Sequence, residues 1–161
     1  SIAHKKIILG GMSAGANLVA LIKYDQGELA KTKLSSEKVA GLMVFGGPLN
    51  LHEMARTALL YAYAGGRKSD TFHKASPIQH IQQREPLAQN PDCPVLIIQG
   101  EKDGMVHYRN ATTFYEQLNK IQQSPITFHT IKSGTHLDAG KWVFGEQPTK
   151  QWIHSWLRGL G

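Results

Sequence analysis

Four short, largely apolar runs limit how this chain can fold: Lys5–Leu9 ("KKIIL"), Val39–Phe45 ("VAGLMVF"), Val95–Gln99 ("VLIIQ") and Ile126–Ile131 ("ITFHTI"). A strand with one face in water alternates apolar and polar residues, whereas a strand covered on both faces does not. Continuous runs therefore call for a sheet buried on both sides. Helical patterns follow them: Ala14–Tyr24, with Leu18, Val19, Leu21 and Ile22 as its apolar side; Leu49–Tyr63, broken by "AGGRKSD"; Tyr108–Ile121, with Ala111, Phe114, Tyr115 and Leu118 on one face; and Thr149–Leu160. Strand then helix, repeated, predicts an α/β three-layer sandwich with a mostly parallel sheet. The polar segment Asp25–Lys38 has room for a short helix. "TFHKASPIQHIQQREPLAQNPD" holds three prolines and reads as a loop with short helical turns. At 161 residues the chain suffices for a single domain, 1–161, with a hydrophobic core.

Composition removes several function classes. The net charge is +6, but the Lys and Arg are scattered ("HKK", "KTK", "GRK") and form no basic face, so no nucleic-acid partner is expected. No apolar run approaches the roughly 18–20 residues of a membrane span. The single cysteine, Cys93, excludes an internal disulfide and a multi-cysteine zinc site, and reads as a buried structural thiol. There is no H-E-x-x-H and no carboxylate cluster, so no metal or other cofactor is expected. The chain begins with Ser rather than Met and reads as if cut from something longer.

Chemistry concentrates where the first strand meets the first helix. In "GGMSAG", Gly11, Ser13 and Gly15 make G-x-S-x-G between strand and helix, the pattern of a nucleophile elbow. Such a serine sits on a tight turn that lifts its hydroxyl above the sheet edge. Small residues two before and two after let strand and helix approach closely. The N–H of Ala14, at the start of the helix, then points at the oxyanion of an attacked carbonyl.

A serine hydroxyl needs a base, and the base needs a carboxylate to orient it. On this fold the chain order is Ser, acid, His. "VLIIQGEKDGMV" places Asp103 just beyond the third strand, and "ITFHTIKSGTHLDAG" places His136 just beyond the fourth. All three lie at carboxyl ends of parallel strands, where open α/β sheets place their sites.

These segments resemble the α/β-hydrolase superfamily, in particular the esterase/lipase group that overlaps feruloyl-esterase-like and prolyl-oligopeptidase-like enzymes. "GMSAGANLVAL" is similar to the group's G-x-S-A-G-x-x-L-A elbow. "QGEKDGMVHYRNATTFYEQL" resembles its H-G-x-x-D-x-x-V-P segment, "SGTHLD" its G-x-x-H, and "ASPIQHI" its S-P-x-x-x-I stretch in the cap-side loop. The likeness runs from about Lys5 to the last helix and covers the C-terminal part of such an enzyme, with a cap-side region at about residues 49–92. It implies a Ser13–Asp103–His136 triad hydrolysing a small-molecule ester through an acyl-enzyme. His107 stands where the pattern usually has Pro, and Gln99 where it usually has His. The group's first strands, with the H-G-G-G-type loop that supplies a second oxyanion donor, should precede Lys5. A sheet lacking them exposes the edge of its first strand, so pairing with the missing N-terminal segment or self-association is expected.

The expected activity is hydrolysis of a carboxylic ester with a short acyl group. A peptide, amide or thioester on the same triad, or a non-catalytic hydrolase-like binding module, stays open. Met12, His80 and Val106 are candidates for the substrate pocket, and Tyr61, Tyr63 and His107 could shape it. Asp138, two residues past His136, competes with Asp103 as orienting acid. Asp92 and Glu101 read as solvated loop charges, Trp142 as a packed wall near the histidine loop and His129 as packed within its strand. His4 and His154 read as exposed positions near the ends, and His52 and His73 show no spaced partner.

Overall fold

The structure, a computed structural model, describes residues 6–25, 27, 31, 36–83 and 92–160. His4, the middle of the Asp25–Lys38 segment and residues 84–91 of the proline-rich loop lie outside the described residues. Strands β1 (Ile7–Met12), β2 (Val39–Phe45), β3 (Val95–Gly100) and β4 (Ile126–Ile131) form one parallel sheet in the order β1-β2-β3-β4. The α-helices bounded at both ends among the described residues are α1 (Ala14–Tyr24), α2 (Ala58–Ala64), α3 (Asp70–Lys74), α4 (Pro77–Gln82), α5 (Arg109–Ile121) and α6 (Thr149–Arg158).

The period-2 alternation of strand side chains builds a core on each face of the sheet. On one face Leu42 and Val44 of β2 and Val95 and Ile97 of β3 pack with Ala16 and Ala20 of α1, Ile78 and Ile81 of α4, and Phe114 and Leu118 of α5. On the other, Phe45, Leu96 and Ile98 meet Ala139 and the α6 residues Ile153 and Trp156. All of β3 is buried, which explains its apolar run Val95-Leu96-Ile97-Ile98. β1 lies at an edge of the described sheet, where Ile7 and Ile8 stay 38% and 39% exposed. Cys93 is buried beneath the same core. Among the described residues no helix is long and apolar enough to cross a membrane.

Three expectations are corrected. β1 runs on to Met12, because Gly10 and Gly11 continue the ladder opposite Met43 and Val44 rather than ending it. α1 buries only part of its expected side: Leu21 goes inward and Val19 packs on the core, but Leu18 faces out, and the buried face is completed by Tyr24 and by Ala16 and Ala20, whose small side chains let the helix sit close to the sheet. Leu49–Tyr63 is not one helix. Asn50 caps a 3-10 turn at Leu51–Glu53 by accepting the His52 N–H, and Thr57 separately caps α2 by accepting the Leu60 N–H. Each side-chain cap starts its own short element, and the extended backbone at Met54 separates the two where composition alone favoured continuity.

Candidate active site

Ser13 is the single residue between β1 and α1, and its backbone is held at φ 53°, ψ −124°. A non-glycine residue at positive φ costs on the order of 1–3 kcal/mol and persists only where neighbours over-determine it. Here the Ser13 N–H donates to the Phe45 carbonyl at 2.8 Å, and the Ser13 carbonyl accepts from the N–H groups of Ala16 and Asn17. A Cβ on Gly11 would lie 2.2 Å from the Gly15 carbonyl oxygen, so only glycine admits the close strand–helix approach there. A Cβ on Gly15 itself would meet nothing within 4 Å; the tight position is the one before the serine. Ala14 opens α1, so its N–H belongs to the first turn that lacks an intrahelical acceptor.

The structure brings Ser13, Asp103 and His136 together. The Ser13 hydroxyl lies 2.9 Å from His136 Nε2, and His136 Nδ1 lies 2.8 Å from Asp103 Oδ2. A carboxylate only accepts, so Nδ1 carries the proton and the neutral ring leaves Nε2 to accept from the serine O–H. Asp103 is buried, and its other oxygen accepts the N–H groups of Met105 and Val106 at 2.9 and 2.8 Å. The histidine loop is pressed onto the end of β3: a Cβ on Gly100 would fall 2.5 Å from the Thr135 carbonyl oxygen.

Two buried amides missed as site residues complete the frame. Gln99, 1% exposed, donates from Nε2 to Asp103 Oδ2 at 2.9 Å and to the Val106 carbonyl at 3.0 Å. Its signal in the sequence is a polar residue ending an otherwise apolar strand. Asn17, one turn beyond Ser13, donates to the carbonyls of Pro48 and Ala75 and accepts from the Tyr63 hydroxyl at 2.8 Å. Asn17→Ala strands two carbonyls and a hydroxyl, so it should cost about 3 kcal/mol and lower Tm by roughly 10 °C. Tyr63→Phe removes one bond and should cost about 1 kcal/mol. Calorimetry on both variants checks this, and an Asn17→Ala protein no weaker than Tyr63→Phe would contradict the shared-hub role.

Asp138 does not face His136. Its carboxylate takes the Lys141 ammonium at 2.8 Å, the Thr135 N–H and the Thr135 hydroxyl. Those partners, Lys141 first, hold its carboxyl down to about 2. The folded value lies below the unfolded value of about 3.9, so the pair stabilises the fold above pH 4 and that contribution fades as pH falls from about 4 to about 2. Solvent screening keeps it to about 1 kcal/mol. Asp138→Asn should be less stable by that amount at pH 7 and match the parent near pH 2. Denaturant titrations across this range test it; a gap that persists undiminished to pH 2 would assign the loss to another cause.

Ser13 and Ala14 open on to a cavity of about 320 Å³ to which Val106 and Tyr63 contribute. Met12 and His80 do not line it. The Met12 thioether is seated where a Gly140 Cβ would otherwise be and packs with the α6-side core. His80 is held by the Lys74 carbonyl at 2.8 Å. His107 is exposed outside the cavity, and Trp142 packs against Phe45. His129 stacks on Trp152 with centroids 4.4 Å apart, and burial lowers its pKa. His52 and His73 do find each other, with rings 5.8 Å apart beside Phe72. A larger cavity of about 560 Å³, lined by Tyr61, Arg56 and Arg67 among others, touches none of Ser13, Asp103 and His136. Among the described residues no group of three His, Cys, Asp or Glu side chains is placed to hold a metal ion.

A parallel sheet covered by helices on both faces, with the serine corner and the acid and histidine loops at one end, is the α/β-hydrolase arrangement. The BD-FAE family model matches residues 1–118, and the chain belongs to that family. Among solved structures it is similar to a truncated carbohydrate esterase from gut microbiota (18% identity, TM-score 0.69, 94% of this chain and 58% of that one). Esterase 2 of Thermogutta terrifontis follows (20%, TM-score 0.66, 96% and 55%). The acylaminoacyl peptidase of Pyrococcus horikoshii is also similar (15%, TM-score 0.60, 88% and 21%). At these identities the likeness is one of fold. The chain spans little more than half the length of the esterases and about a fifth of the peptidase. No curated protein matches the sequence.

Proposed function

We propose that this chain carries the Ser-His-Asp triad of a serine hydrolase that cleaves carboxylic esters through an acyl-enzyme. The observation that carries the reading is the unbroken relay from the Ser13 hydroxyl through His136 to Asp103, at 2.9 and 2.8 Å. Ser13 Oγ attacks the ester carbonyl carbon as its proton passes to His136 Nε2. The new oxyanion accepts the Ala14 N–H. The tetrahedral intermediate collapses, the bond to the leaving oxygen breaks, and His136 delivers the proton to the departing alcohol. Water then attacks the acyl-enzyme with His136 again as base, which releases the acid and restores Ser13. Asp103 keeps the proton on Nδ1 and stabilises the imidazolium formed in each half-reaction. The strained turn at Ser13 supports its role as a nucleophile elbow.

Intact-mass measurement after incubation with a fluorophosphonate probe tests this. One adduct, absent from Ser13→Ala, is expected. No adduct on a folded protein, or an adduct that survives the substitution, would reject Ser13 as the nucleophile. Turnover of a matched ester and peptide with the same acyl group separates esterase from peptidase, and the ester should win.

A further inference from the structure

The cavity beside Ser13 has a sidedness that bears on the substrate. It is lined by Ser13 and Ala14, the proposed nucleophile and oxyanion donor, but not by His136. The leaving oxygen must face the imidazole, because His136 Nε2 hands it a proton. A cavity that reaches the serine and the oxyanion donor without touching the imidazole therefore lies on the acyl side of the scissile bond. Its walls come from α1, from the loop after Asp103 and from α2 with the turn before it.

Its chemistry is uniform. None of the thirteen lining residues carries a charge. Leu18, Leu59, Tyr63 and Met105 line it while each stays at least 52% exposed, so its mouth is an apolar rim. Exposed apolar side chains gathered round one concavity mark a binding surface rather than scattered surface residues. An unpaired carboxylate or ammonium would lose its hydration there without gaining a partner. Both hydroxyls on the α2 wall are already committed: Thr57 Oγ1 accepts the Leu60 N–H at 3.1 Å, and the Tyr63 hydroxyl, whose pKa burial raises, donates to Asn17 at 2.8 Å. Asn17 thereby fixes the Tyr63 ring as a wall one helical turn from Ser13. At about 30 Å³ for a water-sized group, a cavity of this size exceeds what an acetyl methyl fills.

We infer that this cavity is the acyl site of the Ser13 reaction, that it takes uncharged hydrocarbon acyl groups of roughly four to eight carbons, and that Tyr63, held by Asn17, is the wall that sets their length. The inference rests on the serine-hydrolase reading and extends the short acyl group expected from the sequence to chains that fill the cavity. Each methylene added until the cavity is full should raise kcat/KM by up to about fourfold.

The test is a series of p-nitrophenyl esters, acetate through decanoate, on the full-length protein, with the hemisuccinate as charged control. The leaving group is constant, so only acyl recognition varies. The hexanoate-to-acetate ratio of kcat/KM should be at least ten, with the hemisuccinate below the butyrate. Leu60→Trp, which fills the cavity, should lower that ratio tenfold or more. Tyr63→Ala, which removes the wall, should move the optimum to longer chains. A protein that takes the fluorophosphonate on Ser13 yet shows a flat or falling series, or whose Tyr63→Ala variant keeps the same optimum, overturns the acyl-site assignment alone. A folded protein with no adduct and no turnover of any ester overturns the serine-hydrolase reading and this one with it.

Discussion

Ser13→Ala should lower kcat for any turned-over ester on the order of 10⁵-fold, and His136→Ala should do nearly the same. Ser13 is the nucleophile proposed above, and without His136 its hydroxyl loses the acceptor at 2.9 Å that would take its proton. The double substitution should be scarcely worse than either single one, because a nucleophile without its base and a base without its nucleophile are equally idle. That non-additivity separates a catalytic unit from two independent structural contributions. The residue of rate, on the order of 10³-fold over water, is left to binding and the Ala14 N–H. Neither change should lower Tm by more than a few degrees: Ser13→Ala keeps a Cβ at the same strained φ, and His136 contributes to no apolar core cluster. Single-turnover kinetics beside calorimetry check both halves. Activity within tenfold of the parent in either single variant would dismiss the relay as catalytic.

Much of this arrangement was legible because it is written in local pattern. The limits of β2, β4 and α1 follow from apolar runs and their punctuation, and Asp103 and His136 stand just past strand ends, where parallel sheets expose chain to solvent. What escaped depends on partners distant in sequence. Asn17 reads as an ordinary helix residue, yet it joins α1 to Pro48, Tyr63 and Ala75. Gln99 shows only as a polar residue in an apolar strand until the fold brings Asp103 back onto it. Leu49–Tyr63 has helix-forming composition throughout, and it is divided by extended backbone at Met54 and Thr57, where Thr57 starts a new helix. Gly15 illustrates the converse: the spacing made it appear sterically essential, whereas the close contact falls on its backbone, reached from Gly11.

Asp103→Asn should reduce kcat on the order of 10⁴-fold while leaving the fold intact, and the reason lies in the four hydrogen bonds that carboxylate accepts. Oδ1 takes the N–H groups of Met105 and Val106, and an amide oxygen can take both equally well. With the amide oxygen anchored there, the NH₂ falls at the Oδ2 position, facing Gln99 Nε2 and His136 Nδ1. Two donors then confront that NH₂. His136 can relieve the conflict only by giving up its Nδ1 proton, accepting from the amide and protonating Nε2. The imidazole then presents a donor to Ser13 and can no longer act as its base. The loss is thus one of tautomer rather than of geometry, and it predicts a distinctive result: at high pH, where the serine proton can be lost to hydroxide in solution, the variant should recover part of its rate. NMR of ¹⁵N-labelled imidazole should show the proton on Nδ1 in the parent and on Nε2 in Asp103→Asn. An Asp103→Asn protein that keeps the Nδ1 proton and most of its rate would mean that Asp103 only packs the loop. In that case Gln99, rather than the histidine, would be its significant partner.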